Sequence, residues 1–193
     1  GDVYRRDLDL MQGVSHTQYQ RKGVAFTRDL LVSKPDEVIA LHLKADKPGA
    51  LSFTAALVRR HDATTRADGS LQVLEGQLPF NKPGGGGEGM RYVALLGANV
   101  KGGQVSATSD GLAVDGADEV TLIVSAGTDW KDKEFAKLAR QRLEGFDYGA
   151  RAVRIYPPRP ATADVAADVA ALRGLYAPAM AKYPERFAPG DPV

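Results

Sequence analysis

From Tyr4 to Ser125 the chain is written in short runs of Val, Ile, Leu, Thr, Phe and Tyr. Each run is cut off by Pro, Gly or Asp before it is long enough for a helix. That rhythm restricts the fold to antiparallel sheet folded on itself, a sandwich or a barrel. It predicts strands over Tyr4–Leu10, Val14–Gln20, Val24–Val32, Glu37–Ala45, Ala50–Arg59, Leu71–Gln77, Met90–Val100, Gln104–Ala107, Leu112–Val114 and Glu119–Ser125. Ile39, Leu41 and Leu43 share one face of their strand, as do Leu51, Phe53, Ala55 and Leu57 of the next. Val120–Ser125 is apolar enough on both sides to be buried on both. In "YRRDLDL" the alternation predicts Leu8 and Leu10 inward and the charges outward.

The turns have mechanisms. "SKPDE" sets Pro35 where its fixed φ suits a turn, with Asp36 placed to bond back to the backbone, so Val24–Leu43 reads as a hairpin. "ADKPGA" uses Pro48-Gly49 in the same way. "KGG" at Lys101–Gly103 and "SDG" at Ser109–Gly111 are hairpin signals. "FNKPGGGGEGMRY" holds a run of four glycines but leads into a strand, with no Lys-Ser/Thr after it. It reads as a hairpin loop and not a phosphate cradle.

After Thr128 the pattern changes. "DWKDKEFAKLARQRL" is helical from about Lys131, with Phe135, Leu138 and Leu143 along one side. "FDYGARAVRIYPPRP" is extended, and "TADVAADVAALRGLYAPAMAKY" forms a second helix behind a Thr162 cap. We therefore divide the chain into a β-sandwich region, 1–128, and a helical C-terminal extension, 129–193, packed on or linking from the sandwich.

A net charge of +1 with scattered basic residues gives no footprint for nucleic acid or an anionic membrane. No stretch approaches the roughly 18 apolar residues of a membrane helix. The absence of cysteine excludes thiolate chemistry.

Residues able to carry chemistry are few. His16, His42 and His61 are far apart in sequence, and only His16 and His42, both mid-strand, are placed to meet. No metal or cofactor motif is present. Asp7 and Asp9 share one strand face and are candidates for a cation or an acid–base pair. Trp130, with Tyr4, Tyr19 and Tyr92, is a candidate for stacking on sugar rings. For substrate binding the candidates are therefore Asp7, Asp9, His16 and Trp130, and no residue is assigned a catalytic role.

The run "YRRDLDLMQGVSHTQYQRKGVAFTRDLLVSKPDEVIALHLKADKPGALSF", and again "GMRYVALLGANVKGGQVSATSDGLAVDGADEVTLIVSAGTDW", resembles the N-terminal β-sandwich domain of glycoside hydrolase family 95, the α-L-fucosidase type. The likeness covers roughly residues 4 to 143. It implies a bacterial, periplasmic or extracellular setting and a partner, the catalytic (α/α)6 barrel, in cis or as a separate chain. The family's catalytic groups sit in that barrel, so none maps onto this chain. The family's first strands, with an Asn-Glu…Leu-Trp-Ser-Gly segment, have no counterpart here, which would expose edges and favour self-association. In this reading Arg6, Asp7, Asp9, Arg28, Ser33 and Asp36 are strand and turn residues.

Three functions follow in order: a non-catalytic module of a glycoside hydrolase, a stand-alone carbohydrate-binding module, and a small complete hydrolase using Asp7, Asp9 or Asp129 with His16.

Overall fold

A computed structural model describes residues 4–10, 13–82, 85–130 and 132–150, with the side chains of 80–87 outside the description. All of these lie in the unit Gly1–Ile155. Among the described residues the named elements are β1 (Tyr4–Asp9), β2 (Val14–Arg21), β3 (Val24–Ser33), β4 (Val38–Ala45), β5 (Leu51–Ala55), β6 (Thr64–Asp68), β7 (Leu71–Lys82), β8 (Gly85–Lys101), β9 (Gln104–Thr108), β10 (Gly111–Ala117), β11 (Glu119–Thr128) and α1 (Phe135–Glu144). The fold is mainly β, an antiparallel sandwich, as the alternation predicts.

An eight-stranded sheet runs in the order β1-β2-β3-β4-β11-β8-β7-β6, and a three-stranded sheet in the order β5-β10-β9. β11 lies at the centre, and Val120, Thr121, Leu122, Ile123 and Ser125 on it are all buried. Each face of the large sheet has its own core. On one, Leu43, Leu96, Val120 and Leu122 pack against Leu51, Leu112 and Val114 of the small sheet. On the other, Val38, Val73, Leu95 and Ile123 pack against Ala139 and Leu143 of α1 and Phe146 beyond it. Gly97 permits that docking, since a Cβ there would stand 2.9 Å from Leu143 Cδ2 and 3.0 Å from Leu71 Cδ2.

The turns do more than the sequence signals suggest. Val24–Leu43 is a hairpin, with Ser33 paired to Val38, and the Ser33 hydroxyl donates to the Asp36 carboxylate. Ser109–Gly111 also closes a hairpin, β9 to β10. "KGG" does not. β8 pairs with β11 and β7, so Gly102 and Gly103, at φ 68° and 62°, carry the chain from the large sheet to the small one. A Cβ on Gly103 would lie 2.2 Å from the Asp115 carbonyl oxygen. Pro48-Gly49 makes the crossing from β4 to β5, where the Gly49 N–H donates to Asp118 Oδ1 at 2.7 Å.

Other expectations are corrected. β5 ends at Ala55, not Arg59, because the Leu57 N–H turns away to the Gln72 side chain at 2.7 Å. Thr64–Asp68, polar and exposed, is an edge strand that no apolar alternation announces. The glycine run is not a loop: β7 and β8 stay paired out to Lys82 and Gly85. Tyr148–Ala150 is helical rather than extended, since Asp147 Oδ1 accepts from the Gly149 and Ala150 N–H groups at 2.9 and 3.3 Å and caps the turn. Leu8 and Leu10 are exposed, not inward. Leu8 is on the half of the large sheet that the small sheet does not cover. The second helix expected near Thr162 lies outside the described residues.

Candidate functional site

Strand register assembles a row of polar side chains that the sequence scatters. Asp7 is opposite His16, His16 opposite Asp29, and Asp29 opposite His42. His42 is opposite Thr121, and Thr121 opposite Asn99. Directly opposed residues point to the same face of an antiparallel sheet. The row therefore crosses six strands on the face that α1 covers further along.

His16 Nδ1 meets Asp29 Oδ1 at 2.7 Å, and His42 Nδ1 meets Thr121 Oγ1 at 2.9 Å. The ring of Tyr148 stacks on His42, with centroids 4.5 Å apart and planes 13° from parallel. Burial holds His42 below the usual histidine range, against the opposite pull of Glu119 and Asp29. Burial, with the charge of Asp29 adding to it, pushes Tyr148 up to about 12.

His16 and His42 do not meet. β3 stands between them, and two strand spacings amount to about 10 Å. Asp29 occupies the gap, and it was legible in principle, because the β3–β4 turn fixes Asp29 opposite His42. Asp9 shares the face of Asp7, opposite Val14. Asp7 takes Arg5 Nε at 3.0 Å. His61 is exposed on a loop. Among the described residues, no three His, Asp or Glu side chains converge on a metal-sized point.

The aromatic candidates separate. Tyr4 and Tyr19 are cross-strand neighbours. Tyr92 on β8 is four strands from Tyr19 and at the opposite end of the sheet, since Tyr19 is level with Ala45 and Tyr92 with Thr128, and its hydroxyl donates to the Asp62 carbonyl at 2.5 Å. Trp130 is 81% exposed, beyond the end of β11. Its neighbour Asp129 accepts from Arg91 Nε and from the Arg91 N–H, each at 3.0 Å. Those bonds hold the Asp129 carboxyl below its usual range. Asp68 and Glu119 are held low in the same way, by Arg66 and by Lys44. A proton donor to a leaving group needs the opposite shift.

Hollows of about 660, 780, 400 and 330 Å³ indent the described surface, and none is lined by Asp7, His16, Asp29 or His42. The polar row is a seam that ties β2, β3, β4 and β11 together.

Comparison with known proteins agrees with this geometry. The family pattern described as "Glycosyl hydrolase family 65, N-terminal domain" matches residues 2–133. The chain belongs to that family. Residues 2–133 take in every strand of both sheets, so the sandwich is the domain itself. Alpha-L-fucosidase 2 of Arabidopsis thaliana is 30% identical over 145 residues, a match that covers 66% of this chain and 17% of that protein. The chain thus spans about a sixth of the length of this curated relative. This N-terminal domain of a glycoside hydrolase is also what the fucosidase-type motif run implies.

Proposed function

We propose that this domain is a non-catalytic module of an α-L-fucosidase-like glycoside hydrolase, and that it packs against a catalytic (α/α)6 barrel supplied in cis or as a separate chain. The observation that carries this reading is the state of its carboxylates. Asp68, Glu119 and Asp129 are held ionised by Arg66, Lys44 and Arg91, and Asp29 is engaged by His16. Ion-paired carboxylates of this kind fix strands and turns; an inverting or retaining pair faces across a sugar-sized cleft. The setting we assign is periplasmic or extracellular, in a bacterium.

Turnover of an aryl α-L-fucoside by the purified chain tests this, with Asp7→Asn and Asp9→Asn alongside. We expect no turnover above buffer. Activity that disappears in either variant would place an acid–base pair on β1 and overturn the reading. The exposed ring of Trp130 favours carbohydrate contact as a second reading. Loss of binding to an immobilised glycan on Trp130→Ala would support it.

A further inference from the structure

The three-stranded sheet covers only part of the face it packs on. Its edge strand β5 pairs with β10 on one side, and among the described residues no strand pairs with its other edge. That open edge is the wall of a groove. Ala50, Leu51, Ser52, Phe53 and Ala55 line a hollow of about 400 Å³ whose floor includes Phe26, Arg28, Leu41 and Leu43. The hollow adjoins a second of about 780 Å³, with which it shares Tyr19, Arg21, Arg28 and Leu41, and which reaches Tyr4 and Arg6 on β1.

The floor has two chemistries. One part is apolar: Leu30 and Leu41 oppose each other in the lining, and the next pair, Val32 opposite Ile39, continues the apolar surface beyond the hollows. Val32 is 65% exposed, and Leu8, Leu30 and Ile39 are also exposed. The other part is cationic, with Arg6, Arg21 and Arg28 among the lining residues and no carboxylate lining either hollow. Arg28 is held in place, its guanidinium 4.9 Å from the Tyr19 ring centroid and donating to the Tyr19 hydroxyl at 2.7 Å.

An open strand edge beside an uncovered apolar face is the arrangement that recruits an added strand. A second copy laid symmetrically on the same face would set arginines against arginines, which argues against self-pairing there. We infer that the groove takes an extended polypeptide segment, one that pairs with the open edge of β5 and turns both apolar and carboxylate side chains onto the floor. Backbone hydrogen bonds to β5 hold the segment. The arginines select its inward side chains, carboxylates facing Arg6, Arg21 and Arg28 while apolar groups cover Leu30 and Leu41. The inference stands on the groove alone and does not depend on which hydrolase the domain serves.

Titration of the isotope-labelled full chain with the peptide acetyl-VTVTETET-amide, followed by amide NMR, tests this. The control is the same peptide with lysine for glutamate. We expect saturable shifts at Leu51–Ala55 and across Tyr19–Leu30, slower amide exchange in β5, and binding about tenfold tighter than the lysine peptide. Arg28→Glu, or Arg6→Glu should the first variant fail to fold, reverses that order. No saturation by about 5 mM peptide overturns the inference, as does equal affinity for both peptides. Preferential occupation of the same residues by trigalacturonate would assign the groove to an acidic glycan instead. A dimer by light scattering that disperses in Val32→Lys would assign it to a second copy.

Discussion

His42 and Tyr148 lie ring on ring, 4.5 Å between centroids, with the histidine bonded to Thr121 on the strand beside it. The stack sits where the polar row meets the segment after α1. It puts a titratable ring between an aromatic lid and a strand hydroxyl.

Stability should therefore depend on pH through His42. Its folded pKa lies below the unfolded value, because burial disfavours the imidazolium. The unfolded chain then binds more protons, and stability falls as pH drops below about 6.5, the unfolded histidine value. The charged groups about the ring are Asp29, Lys44 and Glu119. Glu119, whose folded pKa is lowered, loses its contribution only in the carboxylate range below that. We expect Tm to decline between pH 7.5 and 5.5, and the decline to be smaller in His42→Gln. An identical profile in the variant would contradict the assignment.

At high pH the sign reverses for Tyr148. A phenol raised to about 12 favours the folded state while it stays protonated. Stability should fall above about pH 10, where the unfolded tyrosine ionises. Tyr148→Phe should remove that component in alkaline melts.

Gln72 is 1% exposed and ties three segments together. Its Oε1 accepts from the Leu57 N–H at 2.7 Å and its Nε2 donates to the Ser109 carbonyl at 2.9 Å. Gln72→Ala leaves two backbone groups without partners, at a cost of about 3 kcal/mol. Urea unfolding measures it; a loss below about 1 kcal/mol would show that water replaces the amide.

Ser125 is the reverse case. Its hydroxyl is buried and, among the described residues, has no hydrogen-bond partner. Ser125→Ala should leave stability unchanged or raise it by about 1 kcal/mol. A clear loss in the same unfolding experiment would reveal a partner for that oxygen.

Gly103 tests the crossing between sheets. At φ 62°, with backbone atoms 2.2–2.6 Å from a Cβ, it cannot take a side chain without moving β10. Gly103→Ala should cost about 1–3 kcal/mol or more. Gly69, at φ 62° but in open space, should show only the backbone part of that cost on Gly69→Ala.

Local chemistry determined much of this molecule. Alternation of period two placed ten strand regions, Pro35 and Gly111 closed their hairpins, and the doubly apolar β11 announced itself as the buried centre. The motif run was enough to indicate the family. Pairing between distant strands lies beyond local pattern. "KGG" reads the same whether it closes a hairpin or changes sheets, because the choice depends on what β8 pairs with. Leu8 and Leu30 carry the pattern of inward residues, but burial depends on whether another layer lies above them. Asp29 joined His16 and His42 only through register, where a slip of one residue would have turned it to the opposite face. Residue spacing sets which way a side chain points along its own strand; what it meets there depends on the packing of strands far apart in sequence.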